Sequence, residues 1–181
     1  MSSTTYQAIL LVDGYNIIGY SSYLKKISKK HGLETARDYL IESLVNYTGY
    51  KAMAGKIVFD AHYQKTPCNE EKYGARLSVH YTAYAQTADT YIEKYCASFY
   101  RDREDRKTRL IVATSDQAQR HTVVGYGAEW MSAQGLVAEI DFTNKRQRRK
   151  LNNRSQSRGR FLFNSLDSKT QQALQQMRFN K

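Results

Sequence analysis

Proline is almost absent from this 181-residue chain; the one at position 67 leaves no Pro-rich hinge, and no Gly/Ser-rich linker marks an internal boundary. Cysteine is nearly as scarce. Cys68 and Cys96 stand in unlike contexts without CxxC spacing, which suits a reducing compartment better than a disulfide scaffold. No apolar run approaches the roughly 20 residues of a membrane-spanning helix. The longest, Ala8-Ile9-Leu10-Leu11-Val12, is strand length. Residues 1–7 carry neither a basic nor an apolar leader region, so no signal peptide is expected. Acidic residues are scarce in one region in particular. Residues 141–181 hold 11 Lys/Arg against 2 Asp/Glu, whereas residues 1–140 hold 17 against 15. The net charge of +11 therefore sits almost wholly in the last quarter of the chain, the pattern of a chain that meets a polyanion.

What is present alternates between strand-like and helix-like stretches. Gln7–Val12 is a short apolar run ending in Asp13-Gly14 and reads as a buried strand followed by a turn. Leu33, Ala36, Tyr39/Leu40, Leu44 and Tyr47 recur at helical spacing and predict a helix over 33–51. Lys56–Asp60 reads as a second strand. Residues 62–76 are polar, contain Pro67 and Gly74, and read as a loop. Leu77–Tyr81 reads as a short strand, and Thr87 caps a helix over 88–101 with Tyr91, Ile92, Tyr95 and Phe99 on its apolar face. Arg109–Ala113 reads as another strand, followed by a helix from Asp116 to Val124 that Gly125 and Gly127 close. Ser132 caps a last long helix carrying basic residues, and Ser165 or Asp167 opens a C-terminal helix over about 165–178, with Leu166, Leu174 and Met177 inward. Strands alternating with helices imply a single α/β domain: a mostly parallel sheet with helices on both faces.

Such sheets place their chemistry beyond the carboxyl ends of the strands. Three strands end at or near an aspartate, namely Asp13, Asp60 and Asp116. A fourth, Asp89, stands in the first turn of a helix that follows a strand, with Glu93 on the same face at i+4. Each has a bland alternative: Asp13 as a turn residue, Asp89 as a partner of the helix dipole, Asp116 as an N-cap. Gathered at one sheet edge, they would repel one another until their pKa values rose or a cation neutralised them. All-oxygen ligands select Mg²⁺ or Mn²⁺ over zinc, and one or two such ions can activate water against a phosphodiester. Asn16 adds an amide near Asp13. Ser115 adds a hydroxyl beside Asp116, which could instead cap the next helix. His62, His80 and His121 are weaker candidates for acid–base work, because a metal site needs no histidine.

Asp13-Gly14-Tyr15-Asn16, Val58-Phe59-Asp60, Thr87-Ala88-Asp89 with Glu93, and Ala113-Thr114-Ser115-Asp116, in this order, resemble the motif series of the NYN domain, a branch of the PIN-like nucleases. Gly127-Ala-Glu-Trp-Met-Ser132 resembles the YacP-like subgroup, which includes a ribosome-associated endoribonuclease that cuts mRNA in the A site. The resemblance covers about residues 7–178. It implies a PIN-like Rossmannoid three-layer α/β/α fold and metal-dependent endoribonuclease activity on mRNA, with the ribosome as partner. It also implies Asp13, Asp89 and Asp116 as metal ligands, Asn16 as orienting amide, Asp60 as supporting acid, and Glu93 and Ser115 around them. No expected acid is missing. The setting implied is bacterial cytoplasm, or plastid stroma.

The RNA-binding surface is expected at 145–160, where eight of sixteen residues are basic and none acidic: Lys145, Arg146, Arg148, Arg149, Lys150, Arg154, Arg158 and Arg160. Of fifteen tyrosines, Tyr15, Tyr20, Tyr23, Tyr63 and Tyr73 fall in expected loops, where unstacked bases could pack on them; Tyr15 is the one assigned to RNA binding. Tyr39, Tyr91 and Tyr95 are expected in the core.

Overall fold

The computed structural model describes residues 6–60, 69–83, 86–101 and 108–164, with side chains as far as Arg149. His62, Tyr63, Pro67, Cys68 and the expected C-terminal helix over 165–178 lie outside the described residues. Two compact units are distinguished, Met1–Thr143 and Asn144–Lys181.

The first unit is built on a six-stranded sheet. Strands β1 (Ala8–Asp13), β2 (Ala54–Phe59), β3 (Asn69–Tyr73), β4 (Leu77–Tyr81), β5 (Arg109–Ala113) and β6 (Glu129–Met131) lie in the order β3-β4-β2-β1-β5-β6. All neighbours pair in parallel except β3, which runs antiparallel to β4 at one edge. The helices are α1 (Gly14–Tyr20), α2 (Ser22–His31), α3 (Leu33–Lys51), α4 (Ala88–Arg101), α5 (Gln117–Gly125) and α6 (Ala133–Asn164).

The period-2 alternation of β1 divides it between two cores. Leu10 and Val12 join Ile17, Leu24, Leu40, Leu44 and Phe59 under α1–α3, together with Ala133, Leu136 and Ile140 from the start of α6. Leu11 joins Val58, Leu110 and Val112 under α4 and α5, through Ile92, Cys96 and Val123. With helices on both faces, the expected three-layer α/β/α fold is present. Leu10, Leu11 and Val12 are all essentially inaccessible, which explains the unbroken apolar run.

Several local expectations need correction. Residues 14–31, read only as a turn and loop, form α1 and α2; neither shows a long periodic stretch, and both are short helices held by packing and caps. Tyr15, Tyr20 and Tyr23 are therefore helical. Residues 69–73 form β3, whose run Asn-Glu-Glu-Lys-Tyr is too polar to suggest a strand; its backbone pairs with β4 across a turn in which Gly74 adopts φ +69°. Tyr73 is thus a strand residue. The three-residue β6 is too short for a periodic signal. Tyr39 is 44% exposed rather than in the core and packs edge-on against Tyr23, ring centroids 6.3 Å apart.

Candidate active site

Strand order reverses between β1 and β5. From β1 the chain steps outward through β2 to β4, then crosses back to the other side of β1. Asp13 ends β1, Asp60 follows β2 and Asp116 follows β5, so these acids stand at or beside the switch point of the sheet. Asp89 arrives from the first turn of α4.

Asp13 is the buried member, 8% exposed. It caps α1, accepting a 3.1 Å bond from the Asn16 backbone N–H. Burial, foremost, and the charges of Asp89, Asp60 and Asp116 push its carboxyl up to about 6, against the lowering effect of the Asn16 bond. The Asp89 carboxyl is also raised, first by burial and then by Asp116, Asp60 and Glu93. Asp116 caps α5, its Oδ1 accepting the backbone N–H groups of Ala118 (2.7 Å) and Gln119 (3.1 Å). Asp60 Oδ1 accepts the Thr82 hydroxyl at 3.4 Å. The turn and cap roles of Asp13 and Asp116 are thus real, and they coexist with convergence: a cap uses one carboxylate oxygen and leaves lone pairs on the other.

Asn16 acts as a tie. Its Oδ1 accepts the Ser115 backbone N–H at 2.8 Å, joining the end of β1 to the segment after β5. Ser115 therefore enters the site through its backbone. Gln119, which sequence reasoning missed, is 3% exposed and donates from Nε2 to Asp89 Oδ1 at 2.6 Å. Its signal was the Asp116-Gln117-Ala118-Gln119 spacing of a capping box. In such a box the glutamine returns to the cap residue's own N–H. Here Thr114 Oγ1 takes that N–H at 3.1 Å, and Gln119 reaches the carboxylate of a different element. Among the described residues its Oε1 is buried without a hydrogen-bond partner.

The segment 127–132 supports this edge. Gly127 adopts φ +99°, Trp130 Nε1 donates to the Thr114 carbonyl at 2.9 Å under the Arg120 guanidinium, and Ser132 Oγ accepts the Gly135 N–H at 3.0 Å, capping α6. His80 is buried and stacked on Tyr91, ring centroids 4.0 Å apart; burial, with Lys56 nearby, holds its pKa low. His121 is exposed on α5.

Among the described residues, no three His, Cys, Asp or Glu side chains converge into a ready-made metal cage. The donor set is nonetheless all oxygen, and the mutual repulsion on Asp13 and Asp89 is what a cation relieves. Mg²⁺ typically keeps several waters and takes only one or two protein carboxylates directly, so an open set of this kind fits it and Mn²⁺ better than it fits zinc.

In the second unit, residues 144–164 continue helix α6. Lys145, Arg146, Arg148 and Arg149 are exposed on it; the side chains of Lys150, Arg154, Arg158 and Arg160 lie outside the description. Among the described residues no helix is long and apolar enough to cross a membrane.

The chain is 36% identical over 143 residues to the uncharacterized protein YacP of Bacillus subtilis, covering 79% of this chain and 81% of the relative. The crystal structure of Rae1 (YacP) from Bacillus subtilis matches with a TM-score of 0.69 at 30% identity, covering 95% of each chain. A tryptophan-to-leucine variant of that protein matches with the same TM-score at 29% identity, over 94% of this chain and 99% of its own. The profile of the YacP-like NYN domain matches residues 10–179. With the fold, the motif order and these likenesses in agreement, the chain belongs to the YacP-like NYN domain family, which supports a nuclease-like, RNA-related role.

Proposed function

We propose that this protein is a divalent-metal-dependent endoribonuclease that cleaves mRNA, acting on the ribosome at the A site. One observation carries the catalytic part: four carboxylates from four separate segments stand close enough that, on top of burial, their charges add to the rise of the Asp13 and Asp89 carboxyls. Folding gains nothing from such repulsion, whereas a site for a hard cation requires it.

Asp13, Asp89 and Asp116 would hold Mg²⁺ or Mn²⁺. When bound, the ion supplies Lewis-acid stabilisation of the charge that develops on the phosphodiester. The protein's own groups do the positioning. Asn16 keeps the β1 and β5 ends in register through Ser115. Gln119 fixes the Asp89 carboxylate, and Thr82 fixes Asp60. The basic run 145–160 supplies sequence-independent phosphate affinity. Cytoplasm, or plastid stroma, is the compartment that goes with such a substrate.

The test is cleavage of a single-stranded RNA with Mg²⁺ or Mn²⁺ by wild type, Asp13→Asn and Asp89→Asn. Both variants should fold and lose cleavage; cutting at the wild-type rate by either defeats the assignment. Mapping RNA 5′ ends in cells with and without the protein, against ribosome footprints, tests the ribosomal part. Cuts unrelated to ribosome position would remove it and leave the nuclease. The alternative, a non-catalytic RNA- or ribosome-binding module, would bind RNA and cut under no divalent ion.

A further inference from the structure

A cleft of about 780 Å³ opens beside α1 and α2 and reaches Asp60 at the end of β2. Its size lies within the ~300–1,000 Å³ range of small-ligand sites. The sequence of α2 explains its walls. Leu24 and Ile27 face the core. Lys25, Ser28 and Lys29, spaced i, i+3 and i+4, line the cleft. Lys26 and Lys30 are exposed and do not line it. Among the described residues neither Lys25 nor Lys29 forms an ion pair with a carboxylate. Lys29 lies in the last turn of α2 and complements the helix dipole there. Lys25 lies a full turn earlier, so the dipole does not account for it.

The α1 wall, lined by Tyr15 and Ile18, is apolar, and Asp60 and Thr87 supply the polar remainder of the lining. The Tyr15 ring is fixed from two sides: it packs on Phe59 with centroids 5.0 Å apart, and its hydroxyl accepts from Arg37 Nη1 at 3.3 Å. A ring already held in place loses little freedom when a flat ligand packs on it. The cleft therefore combines a flat apolar wall, two cations one turn apart, and an end that opens on the carboxylate cluster. Unpaired bases with their phosphates match that combination; a duplex, whose bases are stacked inward, does not.

We infer that this cleft seats a nucleotide of single-stranded RNA next to the scissile phosphodiester, its phosphate on Lys25 and Lys29 and its base against Tyr15 and Ile18. The inference rests on the nuclease reading above and adds to it a seat on the first unit, separate in sequence from the basic run 145–160.

The test uses the full chain in EDTA, so that binding is read without cleavage. The salt dependence of affinity for a fluorescein-labelled oligoadenylate is compared between wild type, Lys25→Gln/Lys29→Gln and Lys26→Gln/Lys30→Gln. Each phosphate contact on a single strand contributes about 0.7 to the slope of log K against log salt. The cleft pair, which shares one phosphate, should lower the slope by about 0.7, and the outer pair, with the same charge removed from the same helix, should leave it unchanged. In the wild type, bound oligoadenylate should protect Lys25 and Lys29 from acetylation and leave Lys26 and Lys30 reactive. Equal slope changes for the two pairs, no change for the cleft pair, or no protection of Lys25 and Lys29 would overturn the inference. Failure of the nuclease reading shows separately, as an absence of cut products when Mg²⁺ or Mn²⁺ replaces EDTA.

Discussion

Removing the charge of Asp13 should make this protein more stable while making it inactive. The Asp13 carboxyl ordinarily titrates near 3.8 and is pushed up to about 6 in the folded chain. Between those values the unfolded chain has already released the proton that the folded chain still binds. Stability therefore falls as pH rises from about 4 to about 6, and the deficit persists above that. At 1.36 kcal/mol per unit, the ionised carboxylate costs the fold about 3 kcal/mol at neutral pH. Asp13→Asn removes that cost, and asparagine is as good an N-cap as aspartate, so the bond from the Asn16 N–H survives. Urea unfolding in EDTA should show the variant and wild type equal near pH 4 and the variant ahead by about 2–3 kcal/mol above pH 6.5. For a chain of this size that corresponds to a gain of roughly 5–10 °C in Tm. Mg²⁺ or Mn²⁺ should narrow the gap by stabilising only the wild type. A gap independent of pH, or a variant no more stable than wild type at pH 7.5, would refute the argument that burial and carboxylate repulsion strain this position.

Gln119→Ala should lower the apparent Mn²⁺ affinity in a cleavage titration by roughly 10–100-fold, because the Asp89 carboxylate loses its 2.6 Å anchor; an unchanged titration would mean that the contact is idle. Asn16→Ala leaves the Ser115 N–H without its acceptor and should cost about 1–3 kcal/mol in denaturant unfolding as well as activity. Gly14→Ala would place a Cβ 2.2 Å from Phe59 Cε1, so overpacking of roughly 1–3 kcal/mol should appear as a lower Tm.

The parts of the fold that were legible in the sequence are those with enough length to show a period. The helix over 33–51 and the strand over 109–113 appear at the expected bounds, because their apolar spacing is dictated by burial. Residues 14–31 and β3 were not legible. α1 is seven residues long, too short to declare a period, and β3 is held by its backbone pairing with β4 rather than by apolar side chains. The acids were legible because strand ends and helix starts are recognisable: Asp13, Asp60 and Asp116 lie at or just beyond strand ends, and Asp89 lies in the first turn of α4. Gln119 was not, because its capping-box spacing predicts a bond to its own helix, whereas its partner lies on α4. Lys25 and Lys29 were hidden by Lys26 and Lys30: without α2 in place, four lysines read as one diffuse charge, and only the helix sorts them into two faces.

The tie between Asn16 and the Ser115 N–H spans 99 residues, and β1, first in the chain, finds one of its two neighbours only when β5 has been made. A chain emerging from its own ribosome thus carries Asp13 long before it carries the groups that complete the acidic edge. Late closure of this kind is slow, since contacts of long sequence separation form after local ones. It also means that a half-made copy holds Asp13 without the acids that the finished sheet brings beside it.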